Sequence, residues 1–250
     1  AIAALSLDED LAPLQEACVA AGIDAQVLAW DDPTVSWGRF DAVLLRSTWD
    51  YMDRLPEFLA WCDRVDTLTR LWNPPDVVRW NTDKRYLGEL AKAGVPVIES
   101  HYLAPGDDPA RLPDLEEFVV KPTVGAGSRD AQRYLREDRP AAEAHVRRLL
   151  DAGRHVMVQP YLRAVDEQGE TALLFFGGQF SHAIRKAPLL KRGEGPTRAL
   201  FKEEHIQPRA PSEAEHAVAR QVLAALPFGP LVYARVDLLP SDTGPQLLEL

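Results

Sequence analysis

The chain has 250 residues, 46% of them hydrophobic and 26% charged, enough to bury one large core or two modest ones. With 28 Lys+Arg against 38 Asp+Glu, its formal charge is −10, a field that repels nucleic acid and anionic membranes and excludes a general nucleic-acid-coating role. Cys18 and Cys62 alone cannot form a disulfide framework or a clustered thiolate metal site, and no apolar run approaches the ~18 residues that span a bilayer, so a cytoplasmic protein is expected.

Charge is uneven along the chain. Residues 1–125 hold 22 acidic and 11 basic residues and the remainder 16 and 17, which predicts that an anionic ligand is bound mainly by the second half. Trp30, Trp37, Trp49, Trp61, Trp72 and Trp80 all fall in the first 80 residues, so a separate N-terminal unit is expected, with these rings serving as core or as binding surface.

Leu11, Leu14, Cys18 and Val19 recur at helical spacing and Gly22 supplies a stop. Gln26–Trp30 reads as a strand, Asp41–Arg46 as an apolar run, Leu55–Val65 as a helix and Arg70–Asn73 as another strand, a β-α-β alternation that predicts a small parallel sheet. Asn81 or Thr82 caps a helix carrying Leu87, Leu90 and Ala91 that Gly94 ends. Glu117–Lys121, Val156–Leu162, Thr171–Gly178 and Gln179–Lys186 read as strands, the last two joined by a Gly177-Gly178 turn. Pro188–Pro211 has no clear period and reads as a long loop. Ser212-x-x-Glu215 is a capping box for a helix to about Leu226, before strands Leu231–Leu239 and Gln246–Leu250.

Alternation in the last two strands puts Arg235 and Asp237 on one face and Val232, Ala234, Val236 and Leu238 on the other. If Gln246–Leu250 returns antiparallel, Glu249 can share the face of Asp237. Two carboxylates beside an arginine suit a hard cation such as Mg²⁺ with substrate phosphates; a surface salt bridge on an edge hairpin is the competing reading.

Phe118–Asp130 delivers Lys121 from an apolar strand into a glycine-bearing loop, whose amides at Gly125–Ser128 can cradle phosphate oxygens; an ordinary hairpin turn explains it equally well. It is neither a G-x-G-x-x-G nor a P-loop signature. Lys84 falls in an expected first helical turn, where a cation is better explained by a neighbouring anion; a plain solvated lysine is the competing reading. Arg185 and Lys186 point to opposite faces, so only one reaches a ligand on a given face. Val158–Leu162 ends an apolar strand with a proline, which exposes main-chain groups able to read an adenine edge, although a proline that simply terminates the strand is the commoner reading. The six histidines show neither H-x-H nor H-E-x-x-H spacing, and no G-x-S-x-G elbow occurs.

Taken in order, these segments resemble the ATP-grasp superfamily, in the branch similar to glutathione synthetase and the RimK-type ligases, from about Phe40 to Leu250. The resemblance implies an α/β (α+β) ATP-grasp fold: an N-terminal parallel α/β domain over 1–80, a central lid subdomain over 81–155 and a C-terminal subdomain with the metal site over 156–250. It matches Lys84 and Lys121 to the family's phosphate lysines and Gly125, Gly127 and Ser128 to its mobile phosphate loop, which orders on nucleotide contact. Gln159, Tyr161 and Leu162 match the adenine hinge, Glu170 an acidic residue near the ribose, and Asp237 and Glu249 metal ligands, with Arg235 near the transferred phosphate. The family places a second ligand two residues beyond that glutamate, and the sequence at hand ends at Leu250. Lys186, Lys191 and Arg198 compete as further ligand contacts.

The segment Leu45–Tyr51 resembles the substrate-side signature of a subset of small bacterial members whose chemistry includes ring closure of a ureido amino acid, with Arg46, Ser47, Trp49, Asp50 and Tyr51 as substrate residues. The implied activity is ATP- and Mg²⁺-dependent ligation of a small-molecule carboxylate to an amine through an acylphosphate, releasing ADP. An ATP-binding regulatory protein and a small-molecule kinase on the same fold are the alternatives. No nucleic-acid or membrane partner is expected, and by base rate a homodimer is the first expectation for an assembly.

Overall fold

The computed structural model describes residue 8 and residues 10–195 and 205–250, in two compact units, Ala1–Arg79 and Trp80–Leu250. In the first, α1 (Leu11–Ala20) is followed by β1 (Ala42–Leu44), α2 (Leu55–Asp66) and β2 (Arg70–Trp72). β1 and β2 are parallel with Val43 opposite Leu71, the pairing the alternation predicts. α2 has Pro56 in its first turn and buries Phe58, Trp61, Cys62 and Val65 at helical spacing. Trp30 and Trp37 join them, Trp37 and Trp61 edge-to-face at 5.1 Å; these three tryptophans are core. Gln26–Trp30, expected as a strand, pairs with no strand among the described residues. Its apolar content goes instead into the aromatic core through Trp30.

α3 (Pro75–Asn81) runs across the boundary into the second unit, which continues with α4 (Tyr86–Lys92), β3 (His101–Leu103), β4 (Glu117–Pro122), β5 (Gln132–Leu135), α5 (Arg139–Asp151) and β6 (Val156–Pro160). The four strands form an antiparallel sheet in the order β3-β6-β4-β5. α5 starts with Pro140 in its first turn and buries Ala142, His145, Val146, Leu149 and Leu150, one stripe at helical spacing packed with Phe118, Val120 and Val158 of the sheet. Asn81 and Thr82 are not the caps of α4: Asn81 ends α3, and α4 is preceded by Arg85. Lys84 therefore lies before the helix rather than in its first turn.

After a one-turn α6 (Val165–Gln168) come the hairpin β7 (Glu170–Phe176) and β8 (Gln179–Lys186), then β9 (Ile206–Arg209), α7 (Glu213–Ala224), β10 (Tyr233–Leu239) and β11 (Gln246–Glu249), giving a five-stranded sheet in the order β11-β10-β7-β8-β9. Gly177 and Gly178 both have positive φ, 58° and 78°, which a two-residue hairpin turn of this hand requires. β9 falls inside the stretch expected to be loop: four residues with a central proline carry no periodic signal, and edge pairing with β8 makes the strand. The capping box forms as expected, Ser212 accepting from the Glu215 amide and Glu215 from the Ser212 amide. α7 buries Val218, Ala219 and Val222, and α4 buries Leu87 and Leu90, in one core with Leu173, Val236, Leu238 and Leu247. Each fully buried Val or Leu side chain of this core contributes about 1.5–3 kcal/mol. Among the described residues no helix is long and apolar enough to cross a membrane.

Candidate active site

The polar face of the five-stranded sheet is built by register. Glu170 lies opposite Lys186 on β7 and β8, and Asp237 lies between Ala172 on β7 and Glu249 on β11. Directly opposed side chains share a face, and Ala172 is small enough to leave that face open to the Lys186 ammonium. Lys186, 6% exposed, donates to Asp237 Oδ2 at 2.9 Å and is ion-paired with Glu170. Arg235, two residues along β10, donates from Nε to Asp237 Oδ1 and from a terminal nitrogen to Oδ2, both at 2.8 Å. Arg185 points away and donates to the Gln168 carbonyl, as the alternation requires.

Charge follows burial. Burial pushes the Glu170 carboxyl up to about 8, with neighbouring Asp237 adding to the rise and Lys186 opposing it. Burial also acts to raise Glu249, but Lys84, Lys121, Lys186 and Arg235 outweigh it and hold Glu249 at about 2. Asp237 is kept below the ordinary range against burial by Arg235 and Lys186. The Lys121 ammonium is pushed down to about 8 by burial, with Lys84 contributing and Glu249 opposing.

The smaller sheet contributes the second part. Lys121 is the penultimate residue of β4, and the chain then turns through Gly125–Ser128 with Gly127 and Ser128 both in the left-handed region, at φ 60° and 57°. Lys84 ties this loop in place: its backbone amide donates to the Thr123 carbonyl at 2.9 Å, its ammonium donates to the Gly125 carbonyl at 2.7 Å and lies 3.4 Å from Glu249. Asp130, past the loop, accepts from Arg148 and Arg154 at 2.9 and 2.5 Å.

The expected hinge leaves β6. Gln159 is 2% exposed and its amide donates to Ser100 Oγ at 2.9 Å; the Tyr161 amide donates to the Glu117 carbonyl at 2.9 Å, and Leu162 accepts from the Val165 amide at 3.0 Å. Beside it is a constellation the sequence reading missed. The Glu117 carboxylate accepts from Arg133 at 2.6 Å, Arg163 at 2.8 Å and Arg192 at 2.8 and 3.0 Å. Burial opposes its charge, but the three guanidinium groups hold it at about 2. A glutamate inside an apolar strand is the one signal that pointed there: it needs a partner, but not one the spacing identifies.

The substrate-side residues lie in the first unit. Arg46 is paired with Asp8 and Asp10 at 3.2 and 2.5 Å, and Ser47, at φ 53°, donates to Asp8. Trp49, Asp50 and Tyr51 open a 3₁₀ helix, Trp49–Asp53. Asp50 accepts from the Trp30 indole at 3.1 Å and from Arg54 at 2.8 Å, and the Tyr51 ring packs 5.7 Å from Phe58. Lys191 is 3.8 Å from Glu194; Arg198 lies outside the described residues.

Among the described residues no group of three or more His, Cys, Asp or Glu side chains forms a metal cluster. Asp237 and Glu249 nonetheless offer hard oxygen donors as direct cross-strand partners. This donor set fits an ion that takes one or two protein carboxylates and completes its shell with water and phosphate.

Residues 2–73 match the family described as the N-terminal domain of D-cycloserine synthetase DcsG. The chain is 47% identical over 261 residues to the cycloserine biosynthesis protein DcsG of Streptomyces lavendulae, covering 98% of this chain and 86% of that protein. The crystal structure of D-cycloserine synthetase DcsG superposes with a TM-score of 0.87 at 46% identity, over 98% of this chain and 86% of that one. A RimK domain ATP-grasp protein from Sphaerobacter thermophilus shares the fold at a TM-score of 0.65 and 19% identity, over 97% and 86% of the two chains.

Proposed function

From the premise that this chain belongs to the DcsG family of ATP-grasp ligases, we propose that it closes the ring of O-ureido-D-serine on the route to D-cycloserine, consuming ATP. The observation that carries this reading is the convergence of Lys186, Arg235 and Lys84 on Asp237 and Glu249, a cationic surround for transferred phosphate.

In this reading the substrate carboxylate oxygen attacks the γ-phosphorus of ATP and the bond to the β,γ-bridging oxygen breaks, giving an acylphosphate and ADP. The substrate's own O-bound N–H nitrogen then displaces phosphate at the acyl carbon, loses its proton to solvent and closes the ring; hydrolysis of the carbamoyl group left on that nitrogen, which departs as carbon dioxide and ammonia, gives D-cycloserine. Phosphoryl transfer of this kind is catalysed by positioning and electrostatics. Lys84, Lys121 and the amides of Gly125, Gly127 and Ser128 hold phosphate oxygens. Main-chain groups of Gln159, Tyr161 and Leu162 read the adenine edge and Glu170 takes the ribose hydroxyls. Arg235 and Lys186 stabilise charge developing on the acylphosphate. Asp237 and Glu249 hold a divalent cation, Mg²⁺ in this reading, which when bound neutralises phosphate charge. Arg46, Ser47, Trp49, Asp50 and Tyr51 select the substrate.

The test is ADP release with ATP, Mg²⁺ and a panel of small amino acids including O-ureido-D-serine, with products followed by mass spectrometry. ADP with a cyclised product is expected. ADP with a linear amide moves the substrate elsewhere, a stable phosphorylated acid makes the protein a kinase, and tight ATP binding without ADP release makes it a binding protein.

A further inference from the structure

Glu117 opens β4, and its side chain is 2% exposed. Three segments meet on it: Arg133 from β5, Arg163 from just past the hinge, and Arg192 from the chain leaving β8. The hinge is held a second time through the backbone, since the Tyr161 amide donates to the Glu117 carbonyl. Arg133 also lies 3.5 Å above the Tyr161 ring and is bidentate to Asp166 at 3.1 Å, and Asp166 accepts from the Tyr161 hydroxyl at 2.5 Å. Glu117, Arg133, Asp166 and Tyr161 thus close a ring of contacts around the hinge. A cavity of about 400 Å³ lies against it, lined by Arg133, Asp166, Pro188, Leu190, Lys191 and Arg192.

Arg133, itself 6% exposed, supplies the charge partner that burying Glu117 demands. Arg163 and Arg192 are different. They are 65% and 54% exposed, and ordering such long side chains at the surface costs rotamer entropy while exposed pairs return little stability. What two further guanidinium groups add is geometry, because the planar fork fixes direction as well as distance, and Arg192 uses both carboxylate oxygens.

We propose that Glu117 is a positioning residue for the nucleoside end of ATP: through Arg163 and Arg192 it fixes the hinge 159–162 and the segment 188–192 against the small sheet. This rests on the reading of Gln159–Leu162 as the adenine hinge. It assigns no contact with the reacting atoms to Glu117 or the three arginines, so their effect falls on nucleotide capture rather than on phosphoryl transfer.

Arg163→Ala and Arg192→Ala remove arms that are largely in solvent, so both variants fold, whereas Glu117→Gln strips the buried Arg133 of its main partner. Steady-state kinetics of the two single variants, the double variant and Arg192→Lys test the idea in the presence of Mg²⁺. Each alanine variant is expected to raise KM for ATP by about five- to tenfold, with kcat and KM for the amino-acid substrate within about twofold of the parent and Tm near it. Arg192→Lys recovers only part of the loss, because an ammonium cannot engage both oxygens in a fork. An unchanged KM for ATP in the double variant overturns the proposal, and so does a general fall in kcat, both KM values and Tm together, which marks a merely structural role. A parent protein that does not bind ATP overturns the hinge reading and this proposal with it.

Discussion

Asp237 and Glu249 face one another across β10 and β11 because the ladder accommodates one extra residue between them. Leu239 pairs with Gln246 and Leu238 with Leu247; continued regularly, that register sets Leu248 opposite Asp237 and Glu249 opposite the core residue Val236. The shift between Asp237 and Leu238 brings Glu249 to Asp237 instead. A one-residue slip exchanges the faces of a strand, and here a bulge keeps an ionised glutamate out of the apolar core and beside the cations.

Asp237→Asn tests the pair. Asparagine keeps the shape and removes the charge that Arg235 and Lys186 both engage. Turnover should fall at least ~100-fold, with the far-UV circular dichroism of the folded protein retained because Glu170 and Glu249 still flank the cations. ADP release near the parental rate would sink the assignment.

Lys121 sets an alkaline limb. Its ammonium is pushed down to about 8 by burial and Lys84, so phosphate capture weakens as pH rises through about 8, where an ordinary lysine stays charged. The log of kcat/KM for ATP should bend downward there, and Lys121→Arg should move the bend out of range; an unchanged bend in that variant would assign it to Glu170 or another group. Stability runs the opposite way. The unfolded chain binds the extra proton up to its ordinary value near 10.5, so this lysine's contribution is absent below about 8 and grows between the two.

The α7 cap separates stability from activity. Ser212→Ala removes the side-chain acceptor for the Glu215 amide and should cost about 1 kcal/mol, read as a lower urea midpoint at constant slope with kcat unchanged. A change in slope instead would mean that the unfolded or native ensemble had altered.

Thiol titration offers a check on the first unit. Cys62 is fully buried, which pushes its thiol up to about 12, while Cys18 is half-buried. At pH 8 one equivalent of a chromogenic disulfide reagent should react promptly, and two in denaturant. Rapid reaction of both without denaturant would contradict the packing around α2.

What was legible in the sequence was local. Alternation put Arg235 and Asp237 on one face, Gly177-Gly178 forecast the hairpin, and Ser212 with Glu215 marked a helix start to within a residue. Arg70–Asn73 pairs as expected because a short apolar run with a parallel neighbour needs little else. Gln26–Trp30 is likewise a short, largely apolar run but has no strand partner among the described residues, and an unpaired run is not a strand. β9 emerges only from its edge contact with β8. The Glu117 cluster stayed hidden because its arginines stand 16, 46 and 75 residues away, and no spacing rule connects them. The bulge was equally invisible, since regular alternation across the 240–245 turn leaves open which face Glu249 takes.

The aromatic core has a spectroscopic consequence. Five tryptophans belong to the first unit, with Trp30, Trp37 and Trp61 in edge-to-face contact at 5.1–6.1 Å, while the second unit has only Trp80, stacked 4.7 Å from Tyr86. Intrinsic fluorescence is therefore dominated by one unit and reports the other through a single emitter. An emission-monitored melt chiefly follows the unit that carries Arg46–Tyr51, and events around Lys84, Asp237 and Glu249 are best followed by circular dichroism, calorimetry or a fluorescent nucleotide.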